Sequence, residues 1–125
     1  MLIVDDSASV RSRVAALLRD AGLDVVGEAA TAAQARRLAR SLHPDVIVLD
    51  LALPDGSGME LLPLLKADEP ATAIAVLTGT AMESVRRRCL ELGADWFFDK
   101  ARDFDALGPA LAAGAEHAVP ANRGR

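Results

Sequence analysis

Three short runs of consecutive apolar residues stand out along the chain: Leu2–Val4, Val46–Leu49 and residues 74–77. Uninterrupted apolar runs, rather than alternating apolar and polar positions, are typical of strands that are covered on both faces in a parallel sheet. Residues 24–28 and 96–98 are two weaker strand candidates. The pattern therefore predicts five strands.

Between the strand candidates, apolar residues recur at helical spacing. The predicted helices are a first helix that contains Val10 and Val14 and ends at Gly22, then Ala32–Leu42, residues 59–66, residues 83–92 and residues 103–115. Thr31 is a suitable N-cap for the second helix. Gly93 follows the fourth helix in the position that a C-terminal cap prefers.

Five strands that alternate with five helices predict an α/β fold with a parallel sheet and right-handed crossovers. At 125 residues the chain has room for one domain. We expect residues 1–115 to form that domain. Residues 116–125 have little apolar surface to bury, and we expect them to form a frayed tail.

Composition narrows the range of functions. The net charge of −4 argues against nucleic-acid binding, because such domains usually carry a basic face. No apolar run approaches the roughly 18 residues of a membrane span, and the N-terminus has no signal-peptide pattern. The single cysteine, Cys89, rules out an internal disulfide and suggests no zinc site. A soluble, cytoplasmic protein is expected.

Polar residues that could bind a ligand or take part in a reaction follow four of the five predicted strands. Asp5 and Asp6 follow the first, Asp50 the third, Thr78 the fourth and Lys100 the fifth. Ligands of open α/β sheets bind outside the carboxyl ends of the strands, where the strand order reverses. One crevice is therefore expected to hold three carboxylates, a hydroxyl and an ammonium group.

Three carboxylates in one crevice repel one another, so they bind protons or recruit a cation. Oxygen ligands without sulfur or clustered histidine select Mg²⁺ or Ca²⁺, and Mg²⁺ suits a site with few carboxylates, several waters and a phosphate. A lysine and a threonine beside such an ion would bind phosphoryl oxygens. One of the carboxylates could then act as a nucleophile.

Four segments carry a resemblance to a known family: IVDDS at residues 3–7, VLDLALPDGSG at 48–58, LTG at 77–79 and GADWFFDK at 93–100. Together, and in this order and spacing, they resemble the signature blocks of response-regulator receiver domains of two-component signalling, including chemotaxis regulators. The resemblance covers about residues 1–115. It implies a flavodoxin-like, doubly wound sheet with strand order 2-1-3-4-5.

The resemblance also implies roles for the matching residues. Asp50 would be the phospho-acceptor, receiving a phosphoryl group from the phosphohistidine of a histidine kinase or phosphotransfer protein. Asp6 would ligate Mg²⁺ directly, and Asp5 would contribute largely through water and hydrogen bonds. The backbone carbonyl of Ala52 would complete the metal shell. No enzymatic activity is expected beyond self-phosphorylation and self-dephosphorylation at Asp50.

A switch is implied as well. Lys100 would pair with a phosphoryl oxygen, Thr78 would move to hydrogen-bond another, and Phe97 occupies the aromatic position that changes rotamer with it. The regulated surface would be the fourth helix, fifth strand and fifth helix, residues 82–107. An output partner or a second copy of the chain would bind there, and neither nucleic acid nor membrane is an expected direct partner.

One position departs from the family pattern. Ala101 follows Lys100 where the family usually has proline. A non-proline cis peptide costs about 2.5–4 kcal/mol, so we expect a trans peptide between these two residues.

Two other classes fit the same residue types less well. A phosphatase with an aspartyl nucleophile would use Asp, Lys, Thr and Mg²⁺, but it usually has a second acid two residues after the nucleophile, where this chain has Ala52. A flavodoxin-like carrier needs a phosphate loop rich in Ser, Thr or Gly after the first strand. Asp5 and Asp6 would repel that phosphate.

Overall fold

The computed structural model describes residues 1–116, with side chains described through residue 114. The chain forms one parallel five-stranded sheet, with β1 Leu2–Val4, β2 Gly27–Ala29, β3 Val46–Leu49, β4 Ala73–Thr78 and β5 Trp96–Asp99. The strands lie in the order 2-1-3-4-5. The predicted fold class, strand number and strand order are confirmed. Of the tail expected at 116–125, Glu116 is the last residue of the final helix, and residues 117–125 lie outside the described residues.

Five α-helices connect and follow the strands: α1 Ala8–Asp20, α2 Ala32–Leu42, α3 Gly58–Asp68, α4 Glu83–Glu91 and α5 Leu107–Glu116. Ser7 and Thr31 cap α1 and α2, because each side-chain oxygen accepts a hydrogen bond from a free amide of the first turn. None of the described helices combines the length and apolar character that a membrane crossing requires.

The helices cover both faces of the sheet. One apolar cluster joins the sheet to α1 and α5 through residues such as Leu18 and Leu111, and the other joins it to α2, α3 and α4 through residues such as Leu62. Successive strand residues alternate between the clusters, so Ile3 packs in the first and Val4 in the second. Burial on both faces explains why the strands are continuous apolar runs.

The starts of two elements differ most from the prediction. Strand β2 lies at Gly27–Ala29 rather than 24–28, because its limits follow from pairing with β1 in a register that places Gly27 opposite Leu2. The last helix starts later than residue 103. A short 3₁₀ turn, Phe104–Ala106, precedes α5.

The segment between β3 and α3 was not predicted. A two-residue strand, Ala52–Leu53, pairs antiparallel with Gly56–Ser57 and forms a small hairpin immediately before α3. Helix α3 then begins at Gly58, one residue earlier than expected, and runs to Asp68 despite the proline at position 63. Burial of Leu61, Leu62 and Leu65 on the sheet offsets the cost of the helical hydrogen bond that the proline cannot donate.

An ion-pair cluster links the end of α3 to α2. The Arg36 guanidinium donates to both oxygens of Asp68, from Nε at 2.6 Å and from Nη2 at 3.1 Å. Arg40 Nε lies 3.4 Å from the same carboxylate. The hydrogen bond from Arg36, supported by Arg40, lowers the pKa of Asp68 to about 2.

We expect Asp68→Asn to reduce the free energy of unfolding near pH 7 and to have a smaller effect at about pH 3. Because the folded pKa is depressed, the ion pairs stabilise the protein above the ordinary aspartate pKa, and this contribution is lost as the pH falls towards about 2. Urea unfolding at about pH 7 and about pH 3 measures the difference, with the exposed Asp105→Asn as the control. The same loss of stability at both pH values would contradict this assignment.

Candidate functional site

Three carboxylates converge at the carboxyl edge of the sheet. Asp5 and Asp6 follow β1, Asp50 follows β3, and one carboxylate oxygen from each lies within 4.8 Å of the others. Backbone pairing holds this arrangement, because the Asp5 amide donates to Ala29 and the Asp50 amide donates to Val4. Asp5 and Asp50 are buried, whereas Asp6 is exposed. The structure thus brings together the three acids that the sequence placed at strand ends.

Lys100 lies between two of these acids. Its Nζ is 2.8 Å from Asp5 Oδ2 and 3.2 Å from Asp50 Oδ2. The backbone amide of Lys100 donates to the Thr78 carbonyl at 2.9 Å, which aligns the residue with the end of β4. With all four groups ionised, three negative charges and one positive charge leave a net charge of −2 in the cluster.

Burial and charge shift the pKa values of this pair. Burial, together with the neighbouring charge of Asp5, raises the pKa of Asp50, and Lys100 opposes that shift only in part. Burial lowers the pKa of Lys100, but its hydrogen bond to Asp5 and the charge of Asp50 outweigh this effect and leave it above its ordinary value. Lys100 therefore stays protonated and is the main counter-charge in the pocket.

The donor set suits a hard divalent cation. The candidate side-chain ligand atoms are all carboxylate oxygens, and the net charge of −2 matches the charge of such an ion. Both Asp5 oxygens already have partners, since Oδ1 accepts from the Ser7 amide at 2.9 Å and Oδ2 accepts from Lys100. The contacts of the two Asp50 oxygens are longer, at 3.4 Å from the Ala52 amide and 3.2 Å from Lys100 Nζ, so Asp50 and the exposed Asp6 are better placed than Asp5 to ligate an ion directly.

Thr78 and Phe97 lie on the neighbouring strands β4 and β5. Thr78 ends β4 and is buried, and its Oγ1 accepts a hydrogen bond from the Thr80 amide at 3.1 Å. Phe97 lies in β5 opposite Val76 and is only partly buried. The hydroxyl of Thr78 is thus held by the loop that leads to α4.

Ala52 lies in the small hairpin directly after the candidate acceptor. Its amide is 3.4 Å from Asp50 Oδ1. The hairpin is attached to α2 by Asp55, whose two carboxylate oxygens accept hydrogen bonds from the Ala32 and Ala33 amides at 2.7 Å and 3.0 Å. These bonds lower the pKa of Asp55. No local pattern indicates this contact, because it spans 22 residues or more.

Gly58 brings α3 against the backbone of the acceptor. Its amide donates to the Leu51 carbonyl at 2.8 Å, and a Cβ at this position would lie 2.4 Å from the Asp50 carbonyl oxygen. Gly56, in the hairpin, has a positive φ of +153°, which favours glycine. Gly58 is the first residue of α3, and glycine is required there for close approach rather than for its backbone angles.

Arg11 supports the loop that carries the two adjacent acids. Its Nη1 donates to the Asp5 carbonyl at 2.8 Å, and its Nε donates to Glu28 at 3.0 Å. Arg11 was not among the predicted site residues, although its position one helical turn after the Ser7 cap places it on the side of α1 that begins near the acids. The Lys100–Ala101 peptide is trans, as predicted.

Comparisons with known proteins agree with this geometry. The family model described as "Response regulator receiver domain" matches residues 1–112. A putative transcriptional regulator of Pseudomonas aeruginosa is 36% identical over 107 residues, which cover 86% of this chain and 52% of that protein. The chain therefore spans about half the length of that relative.

Solved structures give the same result. A LuxR-family two-component response regulator from Aurantimonas sp. superposes with a TM-score of 0.83 at 33% identity, covering 90% of this chain and 84% of that one. A response regulator from Burkholderia pseudomallei, solved with a phosphorylated aspartic acid, a calcium ion and citrate, has a TM-score of 0.79 at 28% identity, covering 95% and 69%. The chain belongs to the response-regulator receiver domain family.

Proposed function

We propose that Asp50 accepts a phosphoryl group from the phosphohistidine of a histidine kinase or phosphotransfer protein, with Mg²⁺ bound in the acidic pocket. The observation that carries this proposal is the buried Asp50 carboxylate, within 3.2 Å of the Lys100 ammonium and next to two further carboxylates. The phosphorylated aspartic acid and calcium ion in the Burkholderia relative support the same chemistry. Residues 1–115 are proposed to carry this function.

In the transfer step, an oxygen of the Asp50 carboxylate attacks the phosphorus of the donor. A phosphorus–oxygen bond forms while the phosphorus–nitrogen bond breaks, and the imidazole nitrogen keeps the electron pair and takes a proton. Lys100, held 2.8 Å from Asp5, places its positive charge where the phosphoryl oxygens gather negative charge. The only reactions proposed for the chain are its own phosphorylation at Asp50 and the hydrolysis of the resulting acyl phosphate.

The proposed Mg²⁺ ligands are Asp6, Asp50 and the Ala52 carbonyl, with Asp5 acting mainly through water and its hydrogen bonds. The bound ion neutralises charge on the phosphoryl oxygens and on the acids around them. This assignment fits the partners already observed for Asp5, both of whose oxygens are engaged. It also gives the exposed Asp6 a function, since this carboxylate lies within the cluster without being buried.

Phosphorylation is proposed to switch the surface formed by α4, β5 and α5. The Thr78 hydroxyl would leave the Thr80 amide for a phosphoryl oxygen, and Phe97 would follow in rotamer. Helix α4 suits such a response because Cys89 is its only buried residue. The phosphoryl group adds about −1.5 to −2 charges, and it has an effect only if it favours one of two pre-existing states of this surface. An output partner or a second copy of the chain would bind the favoured state.

We expect Asp6→Ala to abolish measurable Mg²⁺ binding and phosphorylation while leaving the fold intact. The exposed carboxylate contributes little to the core but supplies a direct ligand that the ion needs. Isothermal titration calorimetry with MgCl₂ and intact-mass spectrometry after treatment with acetyl phosphate measure the two effects. Asp105→Asn serves as the control, and retained phosphorylation in the Asp6 variant would refute the metal assignment.

Incubation with acetyl phosphate and Mg²⁺ tests the function against phosphatase activity. A receiver gains one phosphoryl group per chain, and release of inorganic phosphate then follows only the decay of that acyl phosphate. Rapid, sustained phosphate release without accumulation of the modified protein would instead indicate a phosphatase. Absence of any modification of the wild-type chain would contradict the proposal.

A further inference from the structure

The turn that follows Lys100 is closed by the side chain of Asp99. Asp99 Oδ1 accepts a hydrogen bond from the Ala101 amide at 2.8 Å. In the other direction, the Asp99 amide donates to Asp103 Oδ2 at 3.0 Å. The Asp99 carbonyl also accepts from the Arg102 and Asp103 amides, at 3.2 Å and 2.7 Å. Asp99 thus bonds to the residues on the far side of Lys100 through both its backbone and its side chain.

The carboxylate of Asp99 acts mainly through the Ala101 amide. Its other neighbour, Arg102 Nε, lies 3.5 Å away on a side chain that is 83% exposed, so this ion pair contributes little. The bond to Ala101 is shorter and joins the carboxylate to the backbone, as in an Asx turn. It exists only because residue 101 has an amide hydrogen, which a proline at this position would lack.

Lys100 is held between these contacts. Its own amide is bonded to the Thr78 carbonyl, and its side chain must reach back to place Nζ between Asp5 and Asp50. The direction of the Lys100 side chain therefore depends on the backbone on both sides of it. The bond to Thr78 sets the side before Lys100, and the Asp99–Ala101 bond sets the side after it.

We propose that Asp99 is a positioning residue for Lys100, and that it acts on phosphoryl transfer by orienting that ammonium group. This inference rests on the function proposed for Asp50. Without the Asp99 carboxylate, the peptide after Lys100 loses its partner in the turn, and Nζ is no longer held toward both acids. A misplacement of about 1 Å at a reacting centre can cost ~10²-fold in rate.

The test compares rates of phosphorylation by acetyl phosphate with saturating Mg²⁺. We expect Asp99→Ala to slow the reaction by about 10- to 100-fold. Asp99→Asn retains the Oδ1 acceptor and should recover most of the rate, and Asp99→Ser, whose hydroxyl accepts the same bond more weakly, should fall between them. The exposed Asp105→Asn is the matched control. Far-UV circular dichroism verifies the fold of each variant, and the Asn and Ser variants test the order of rates if the alanine variant does not fold.

A double-mutant cycle with Lys100→Gln separates positioning from a merely structural role. If Asp99 acts through Lys100, Asp99→Ala has no further effect on the rate once Lys100 is replaced, whereas independent effects would multiply. Multiplying effects, or an Asp99→Ala rate equal to the control, would overturn this inference while the function of Asp50 stands. A wild-type chain that takes no phosphoryl group would overturn the proposed function and this inference with it.

Discussion

Replacing Lys100 with glutamine is expected to slow phosphorylation of Asp50 by about 10²–10³-fold, the usual effect of removing one preorganised electrostatic stabiliser. The same change is expected to strengthen Mg²⁺ binding. Lys100 contacts two of the three carboxylates, so its ammonium group is part of the pocket. Removing that positive charge changes the net charge of the ionised pocket from −2 to −3. Affinity for the ion and rate of transfer should therefore move in opposite directions.

Calorimetric titration with MgCl₂ and rates of modification by acetyl phosphate measure the two effects. The control is Arg19→Gln, which removes an exposed positive charge from the far end of α1. Weaker Mg²⁺ binding in the Lys100 variant would mean that the lysine organises the carboxylates more than it repels the ion. An unchanged rate of transfer would remove Lys100 from the proposed chemistry.

Gly58→Ala is expected to reduce both the stability of the fold and the rate of phosphorylation. The added Cβ would lie 2.4 Å from the Asp50 carbonyl oxygen and 2.7 Å from Leu51 Cα, and both of these atoms belong to the backbone. Neither atom can move without shifting the acceptor itself. Overpacking of this kind costs about 1–3 kcal/mol, and we expect a loss at the upper end of that range.

Urea unfolding measures the loss of stability, and Gly79→Ala provides a matched control. A Cβ at Gly79 would meet no atom within 4 Å, so this substitution adds the same methyl group without a clash. Equal stability of the two variants would show that the chain near Asp50 adapts freely to the extra atom. Phosphorylation of the Gly58 variant at the wild-type rate would show that α3 does not position the acceptor.

The fold and the central residues of the site could be predicted because they depend on short-range patterns. Uninterrupted apolar runs marked strands buried on both faces, and the acids Asp5, Asp6 and Asp50 directly follow such runs. Because all five strands are parallel, their carboxyl ends meet at one edge. The clustering of these three residues with Lys100 thus followed from strand direction alone.

The supporting contacts depend on pairs that are distant in sequence, or on details of a turn. Asp55 accepts hydrogen bonds from the first amides of α2 across more than 20 residues, and Arg11 of α1 donates to Glu28 in β2. No local pattern indicates either pair. The need for glycine at position 58 arises from the approach of α3 to the acceptor backbone, which sequence periodicity cannot report. Likewise, the limits of β2 follow from its register with β1 rather than from its own residues.

The most direct test of the central claim is to locate the phosphoryl group. Wild-type protein is treated with acetyl phosphate and Mg²⁺, the acyl phosphate is trapped by reduction with borohydride, and the modified residue is identified by peptide mass spectrometry. We predict modification at Asp50 alone. No modification is expected when a chelator removes the divalent cation before acetyl phosphate is added, and none is expected in a folded Asp50→Asn variant. Modification at another carboxylate in the wild-type chain, or modification at Asp50 that is equally rapid without a divalent cation, would contradict the account.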